Sequence, residues 1–65
     1  MLTHREEDVI KLLLLGLSNR EISEKLSVTY NTTKAHIESI YRKLNVSNRV
    51  QAVIKYLEIT SIKNK

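Results

Sequence analysis

The sequence predicts an all-α domain, built as a bundle of four short helices. The 65 residues include no proline and a single glycine, and the apolar residues recur at helical spacing without the alternation of a strand. Polar segments ending in Ser, Thr or Asn separate the periodic stretches. A chain of this length can form one domain with a small core, so residues 1–65 are predicted to be a single domain. The predicted helices cover residues 4–15, 19–26, 30–44 and 48–59.

Short-range signals mark both ends of helix 1 and the start of helix 2. Thr3 and Glu6 have the spacing of a capping box, in which the hydroxyl accepts a hydrogen bond from one free backbone amide and the carboxylate accepts one from another. Gly16 can adopt the left-handed conformation that closes helix 1. Ser18 and Glu21 repeat the capping box and predict where helix 2 begins.

Thr, Ser and Asn bound the third and fourth helices. Thr29 is the predicted N-cap of helix 3, and Asn45 belongs to the few residue types that tolerate the left-handed conformation at a helix end. Ser47 or Asn48 then caps helix 4. The tail, residues 60–65, is predicted to fray.

The net charge of +4 is concentrated in the second part of the chain. Residues 1–26 hold four basic and five acidic side chains, whereas residues 27–65 hold seven basic and two acidic ones. This asymmetry favours a polyanionic partner. Nucleic acid fits better than a membrane, because no basic amphipathic helix with aromatic anchors is present. Ordinary solvation of a basic surface is the alternative.

Several functions and locations lack support in the sequence. The chain has no cysteine, no Gly-rich phosphate loop and no nucleophile motif, and His4 and His36 lack the spacing of metal ligands. We therefore expect no enzyme activity, metal, cofactor or small-molecule ligand. The start, MLTHREEDVIKLLLLGL, has acidic residues where a signal peptide needs basic ones, and its apolar run is too short to cross a bilayer. These features predict a cytoplasmic location.

The first turn of helix 3 is rich in poor helix formers, from Thr29 to Thr33. Hydroxyls and free backbone amides at a helix N-terminus are good donors to phosphate, and the helix dipole strengthens the attraction. Helix 2, a three-residue turn and helix 3 would then form a helix-turn-helix, whose second helix enters the major groove N-terminus first. The alternative is a well-capped helix with a solvated face. The polar face consists of Asn31, Ala35, Glu38 and Arg42, flanked by Lys34.

The order of these motifs resembles a known family. The LuxR/GerE-type helix-turn-helix domain, found in NarL/FixJ response regulators, in quorum-sensing regulators and in small GerE-like proteins, is similar to residues 2 to about 57. The resemblance depends on a long ordered set of residues rather than on one motif. Its markers are Leu2, Thr3, Arg5, Glu6, Gly16 to Asn19, Glu21, Ile22, Thr32, Lys34, His36, Ile40, Lys43, Leu44, Arg49, Gln51, Ala52 and Val53.

The resemblance implies a sequence-specific DNA-binding domain of a transcriptional regulator, in which helix 3 reads bases and helix 4 often mediates dimerisation. Double-stranded DNA and a second copy of the chain, each copy on one half-site, are the implied partners, and RNA polymerase is a further candidate. Arg49 is expected to tie helix 4 to the end of helix 3. The predicted base contacts are Asn31, Lys34, Ala35 and Glu38. The predicted phosphate contacts are Arg20, Thr29, Tyr30, Thr32, Arg42 and Lys43.

Three residues depart from the family pattern. Thr33 stands in place of valine, and its hydroxyl is expected to bond to the carbonyl four residues back. Asn45 stands in place of glycine, which the left-handed conformation permits. Glu38 is expected to pair with Arg42 at i,i+4, and the alternative is that it accepts a hydrogen bond from cytosine N4.

Two apolar features allow two interpretations each. Leu14 and Leu15 stand where the family more often has alanine and a polar residue, and we expect them to enlarge the core rather than to form a patch for another domain or subunit. A stripe on helix 4 is either a two-fold dimer interface or a broader core. The stripe consists of Val50, Ile54 and Leu57.

Two other functions fit the same helices. One is a protein-interaction module that uses Leu14, Leu15 and the helix 4 stripe as its surface. The other is the promoter-reading helix-turn-helix of a sigma factor, against which the LTHRE and RKLNVSNR segments argue.

Overall fold

Four α-helices follow one another in a computed structural model that describes residues 1–63. The described residues contain no strand, which confirms the all-α prediction. The first and third helices each pack against the other three, so the two together form the centre of the bundle. The helices are α1 (His4–Leu14), α2 (Asn19–Leu26), α3 (Tyr30–Leu44) and α4 (Arg49–Lys63).

The predicted capping boxes begin α1 and α2. Thr3 Oγ1 accepts a hydrogen bond from the Glu6 amide at 3.1 Å, and Glu6 Oε1 accepts one from the Thr3 amide at 2.9 Å. Ser18 and Glu21 form the same reciprocal pair at 3.2 and 2.8 Å. Because each box satisfies two amides that a helix leaves open, both helices begin where the sequence predicts.

Left-handed residues follow the first three helices. Gly16 has φ 86°, Ser27 has φ 57° and Asn45 has φ 58°. The conformations of Gly16 and Asn45 are as predicted, whereas no local signal indicated that of Ser27. Helix α1 ends at Leu14, one residue before the predicted end, because the Gly16 amide bonds to the Leu13 carbonyl at 3.0 Å and tightens the last turn.

Helix α4 begins one residue later than predicted. Asn48, one of the two candidate caps, lies outside the helix, and its Oδ1 accepts a hydrogen bond from the Gln51 amide at 2.9 Å. Gln51 Oε1 in turn accepts one from the Ser47 amide at 2.9 Å. These bonds make Asn48 the cap and Arg49 the first helical residue.

The far end of α4 extends beyond the prediction. The helix continues to Lys63, four residues past the predicted end at residue 59, and the fraying of residues 60–65 stays a prediction. No proline or glycine interrupts this stretch, and the Thr60 hydroxyl donates to the Tyr56 carbonyl at 3.0 Å, which accommodates its polar group within the helix. Residues 64 and 65 lie outside the described residues.

The core forms where α1, α2 and α3 meet, and α4 closes it with Ala52. At helical spacing Thr33, Ile37, Ile40 and Leu44 form one inward stripe of α3, and all four are buried. Thr33 is a polar residue with no exposed surface. The small core therefore depends strongly on α3. The buried apolar side chains are Val9, Ile10, Leu13, Ile22, Ile37, Ile40, Leu44 and Ala52.

Candidate nucleic-acid interface

The N-terminus of α3 is capped by the side chain that the sequence indicates. Thr29 Oγ1 accepts a hydrogen bond from the Thr32 amide at 3.1 Å, and the two hydroxyl oxygens lie 2.9 Å apart. The amides of Tyr30 and Asn31 have no acceptor among residues 1–63. These two donors and the exposed hydroxyls lie at the positive end of the helix dipole, where an anion is favoured.

One face of α3 is open to solvent along its length. At about 100° per residue, this face lies opposite the buried stripe that anchors the helix in the core. Ala35 is the narrow point of the face, because its side chain ends at Cβ and lets a flat surface approach the backbone. All four predicted base-contacting residues lie here and are exposed. They are Asn31, Lys34, Ala35 and Glu38.

The predicted ion pair between Glu38 and Arg42 does not form. Among the side chains of residues 1–61, the ion pairs are Arg5 with Asp8 and Lys43 with Glu6. Exposed i,i+4 pairs contribute only a few tenths of a kcal/mol, so solvation of the two side chains competes with pairing on an open helix face. Both Glu38 and Arg42 therefore present their charge to solvent.

Further candidate phosphate contacts border the turn between α2 and α3. Arg20, in the first turn of α2, is exposed and has no ion-pair partner among the described residues. Tyr30 is 54% exposed. Both side chains line a shallow surface groove that also includes Ser27 and Val28 of the turn. The basic side chain of Arg20 and the phenol of Tyr30 thus lie together beside the turn that leads into α3.

Lys43, a predicted phosphate contact, forms an ion pair that the sequence did not predict. Its ammonium lies 2.8 Å from Glu6 Oε1, on α1, rather than extending from the bundle towards a phosphate. The same carboxylate accepts a hydrogen bond from Ser39 Oγ at 2.5 Å through Oε2. Lys43 and Ser39 together hold α3 against the start of α1. The ion pair forms because the buried carboxylate of Glu6 requires a compensating charge, which the ammonium of Lys43 supplies.

The environment of Glu6 shifts its acidity. Burial of the side chain, which is 5% exposed, opposes ionisation and acts to raise the pKa. Hydrogen bonds from Lys43, Ser39 and the Thr3 amide, together with the charge of Lys43, outweigh burial and lower the pKa of Glu6 to about 2. The carboxylate is therefore ionised at neutral pH, and its charge is part of the fold.

Thr33 bonds to α2 rather than to its own helix. Its hydroxyl shares a hydrogen bond with the Ser23 hydroxyl at 2.7 Å, and Ser23 Oγ donates to the Asn19 carbonyl at 2.8 Å. The expected bond to the carbonyl four residues back is replaced because a buried polar partner lies within reach. This polar contact fixes the two helices of the helix-turn-helix relative to each other.

Arg49 anchors α4 to the connection between α1 and α2, and its charge also acts on Tyr41 near the end of α3. Its guanidinium donates to the Leu17 carbonyl in the α1–α2 connection. A second link runs from Tyr56 to α1, where the phenol donates to Glu7 Oε1 at 2.6 Å. This hydrogen bond, burial and the negative charge of Glu7 raise the pKa of Tyr56 to about 12. Both links position α4 on the side of α1.

Two exposed apolar regions remain. Leu15 is 74% exposed, so the expectation that it enlarges the core is wrong, while Leu14 is half-buried. The last turn of α1 tightens at Gly16 and carries Leu15 outwards. The stripe on α4 is also exposed, which excludes the broader-core interpretation. Its members are Val50 (67%), Ile54 (52%) and Leu57 (51%).

Comparison with known proteins identifies the family. A model described as bacterial regulatory proteins, luxR family, matches residues 1–56. The chain belongs to the luxR family. This confirms the resemblance seen in the sequence, and the helix-turn-helix is that of DNA-binding transcriptional regulators rather than of an enzyme.

The chain is similar to individual luxR-family proteins over most of its own length. It is 47% identical over 58 residues to the nitrate/nitrite response regulator protein NarP of Escherichia coli (strain K12), covering 89% of this chain and 27% of NarP. The solved structure of the transcription factor GerE superposes with a TM-score of 0.85 at 36% identity, covering 91% of this chain and 88% of that one. The solved structure of the response regulator ChrA, from a heme-sensing two-component system, superposes with a TM-score of 0.90 at 37% identity. The match covers 92% of this chain and 30% of the ChrA chain.

The chain spans about a quarter of the length of several curated relatives, NarP among them, with shares of 24% to 27%. The GerE structure, by contrast, is matched over most of its length. Among residues 1–63, no helix is both long and apolar enough to span a bilayer.

Proposed function

We propose that this domain binds double-stranded DNA sequence-specifically, with α3 in the major groove and its N-terminus leading. One observation carries the proposal: α3 is anchored by a buried stripe, while its opposite face is polar, exposed and narrow at Ala35. A helix held in this way can enter a groove about 12 Å wide without repacking the core. The proposed base contacts are Asn31, Lys34, Ala35 and Glu38.

The proposed phosphate contacts surround the α3 N-terminus. The open amides of Tyr30 and Asn31 and the hydroxyls of Thr29 and Thr32 would meet the backbone on one side of the groove. Such contacts fix the position of the helix but carry no sequence information. Arg20, beside this turn, and Arg42, near the other end of α3, are both exposed, and they are the basic side chains of this proposed set. Lys43 is left out of this set because its ammonium is engaged by Glu6.

The exposed stripe on α4 supports a dimer. Three apolar side chains at i, i+4 and i+7 form one continuous surface, and a two-fold contact would cover it. A dimer would place two α3 helices on half-sites about 34 Å apart, one turn of DNA. Association with RNA polymerase and a place in the cytoplasm belong to the same proposal, since bacterial transcription takes place there. The stripe consists of Val50, Ile54 and Leu57.

Selection of bound duplexes from a random DNA pool at near-physiological salt tests the proposal. We expect enrichment of a two-fold symmetric motif. Enrichment of a single half-site would support reading by α3 and contradict the dimer. Failure to enrich any sequence with folded protein would contradict sequence-specific binding by this chain.

Salt dependence separates DNA binding from the protein-interaction alternative. A dimer that neutralises roughly six to ten phosphates should lose affinity with a log–log slope of about −5 to −9. An apolar contact through Leu15 and the α4 stripe should respond little to salt. The family match leaves the sigma-factor alternative without support.

A further inference from the structure

Glu6 connects the start of α1 to the C-terminal half of α3, the helix proposed to read DNA. Its carboxylate accepts three hydrogen bonds, from the Thr3 amide at 2.9 Å, from Ser39 Oγ at 2.5 Å and from Lys43 Nζ at 2.8 Å. The side chain is 5% exposed, and no buried side-chain polar atom among the described residues lacks a partner. A buried carboxylate with this set of donors cannot give up its cation without leaving a charge uncompensated.

Lys43 lies on the flank of α3 rather than on the proposed reading face. At about 100° per residue, it is turned by about 100° from its neighbour Arg42, towards α1 and the Ser39 side of the helix. Its side chain keeps 36% of its surface exposed, but the ammonium is directed at Glu6. Lys34 and Arg42, by contrast, form no ion pair with the side chain of any residue in 1–61.

We propose that Glu6 is a positioning residue for DNA recognition, which withdraws the Lys43 ammonium from the phosphate backbone and uses it to hold α3 against α1. This inference rests on the proposed DNA-binding function. If the inference holds, the ammonium of Lys43 on α3 adds nothing to the sequence-independent attraction between the domain and DNA phosphates. Each phosphate contact adds a loss of about threefold to fourfold in non-specific affinity when the salt concentration rises from 50 to 200 mM. Keeping Lys43 away from DNA therefore favours selected sites over random ones.

The experiment measures binding to a short duplex of scrambled sequence as a function of salt, for the whole chain and its variants. Lys43→Gln should leave the log–log slope of the wild type unchanged, because the ammonium is not at a phosphate. Arg42→Gln is the matched control on the adjacent residue and should reduce the magnitude of the slope by about 0.9 per protomer. Glu6→Gln retains an oxygen for the capping box but frees the ammonium, so the slope should steepen by about the same amount.

A reduced slope for Lys43→Gln, equal to that of Arg42→Gln, would overturn the inference, as would an unchanged slope for Glu6→Gln. If Lys43→Gln fails to fold because the Glu6 carboxylate is left buried and unpaired, the double variant Glu6→Gln/Lys43→Gln decides. It has no charge at either position, and its slope should equal that of the wild type. A reduction by about 0.9 in the double variant would count against the inference. Absence of salt-sensitive binding by the wild type itself would instead refute the proposed function.

Discussion

Glu6→Gln should remove a pH-dependent part of the stability of this domain. The pKa of Glu6 is lowered from 4.5 to about 2 in the folded chain. A group whose pKa is depressed on folding stabilises the native state above its unfolded pKa, and this contribution is lost as pH falls through the folded pKa. Stability from Glu6 should thus be fully present above about pH 5, should fall progressively as the pH approaches the folded pKa, and should be absent only by about pH 1. The glutamine side chain of the variant cannot ionise, so the variant lacks this dependence.

The magnitude follows from the shift and from the exposure of the partner. A shift of this size corresponds to an upper limit of about 3 kcal/mol, at about 1.36 kcal/mol per pKa unit. The site lies at the edge of a small domain and Lys43 keeps 36% of its side-chain surface in water, so solvent screening reduces the contribution. We expect the free-energy difference between wild type and Glu6→Gln to fall by about 1–2 kcal/mol between about pH 7 and pH 2.

Urea unfolding followed by far-UV circular dichroism at a series of pH values measures this difference. The other carboxylates titrate in both proteins, so subtracting the two stability curves isolates position 6. Glu24→Gln is the matched control, since Glu24 is exposed and pairs with no cation among the described residues. Its curve should run parallel to that of the wild type. A constant difference between wild type and Glu6→Gln across this pH range would refute the reasoning, because the buried ion pair would then contribute nothing that depends on ionisation.

Three further predictions address the reading face, the dimer and the end of α3. Lys34→Ala should weaken binding to the selected site by about 1–3 kcal/mol and relax the preference at one base step, as measured by titration. The control Lys55→Ala, on α4, should not relax that preference. Equal losses of affinity on selected and scrambled DNA would make Lys34 a phosphate contact. Ile54→Glu should leave the fold intact, because the side chain is 52% exposed, but should convert dimeric complexes in gel-shift assays to single half-site complexes; persistence of the dimer would exclude the α4 stripe. Asn45→Ala should be less stable in thermal unfolding than Asn45→Gly by about 1 kcal/mol, since φ is 58°, and equal stability would contradict a strained left-handed turn at this position.

Local sequence signals predict the helix starts because their partners are three residues away. The boxes of Thr3 with Glu6 and of Ser18 with Glu21 depend only on backbone geometry at a helix start, and both form. The cap at Thr29 is equally local. The inward stripe of α3 also follows from sequence, since its spacing fits a single helix face.

Tertiary partners could not be read from the sequence in the same way. Lys43 and Arg49 are long, flexible side chains whose acceptors lie 37 and 32 residues away. The pattern placed Glu6 in a capping box, which uses Oε1, but nothing in the spacing shows that Oε2 meets Ser39. The burial of Glu6 was the missing information, because an exposed carboxylate would need no such partners. The base and phosphate contacts on α3 stay predictions until DNA is bound.

The unusual first turn of α3 has two separate explanations in the structure. Thr29 caps the helix, a role that stabilises it by about 1 kcal/mol, and Thr33 is fully buried with Ser23 as its partner. Both residues are therefore required by the fold, although their helix propensity is low. The three residues between them, 30–32, are all exposed. Caps and burial offset the weak propensity of this turn, so an exposed polar surface can be kept at the point where the helix would first meet DNA.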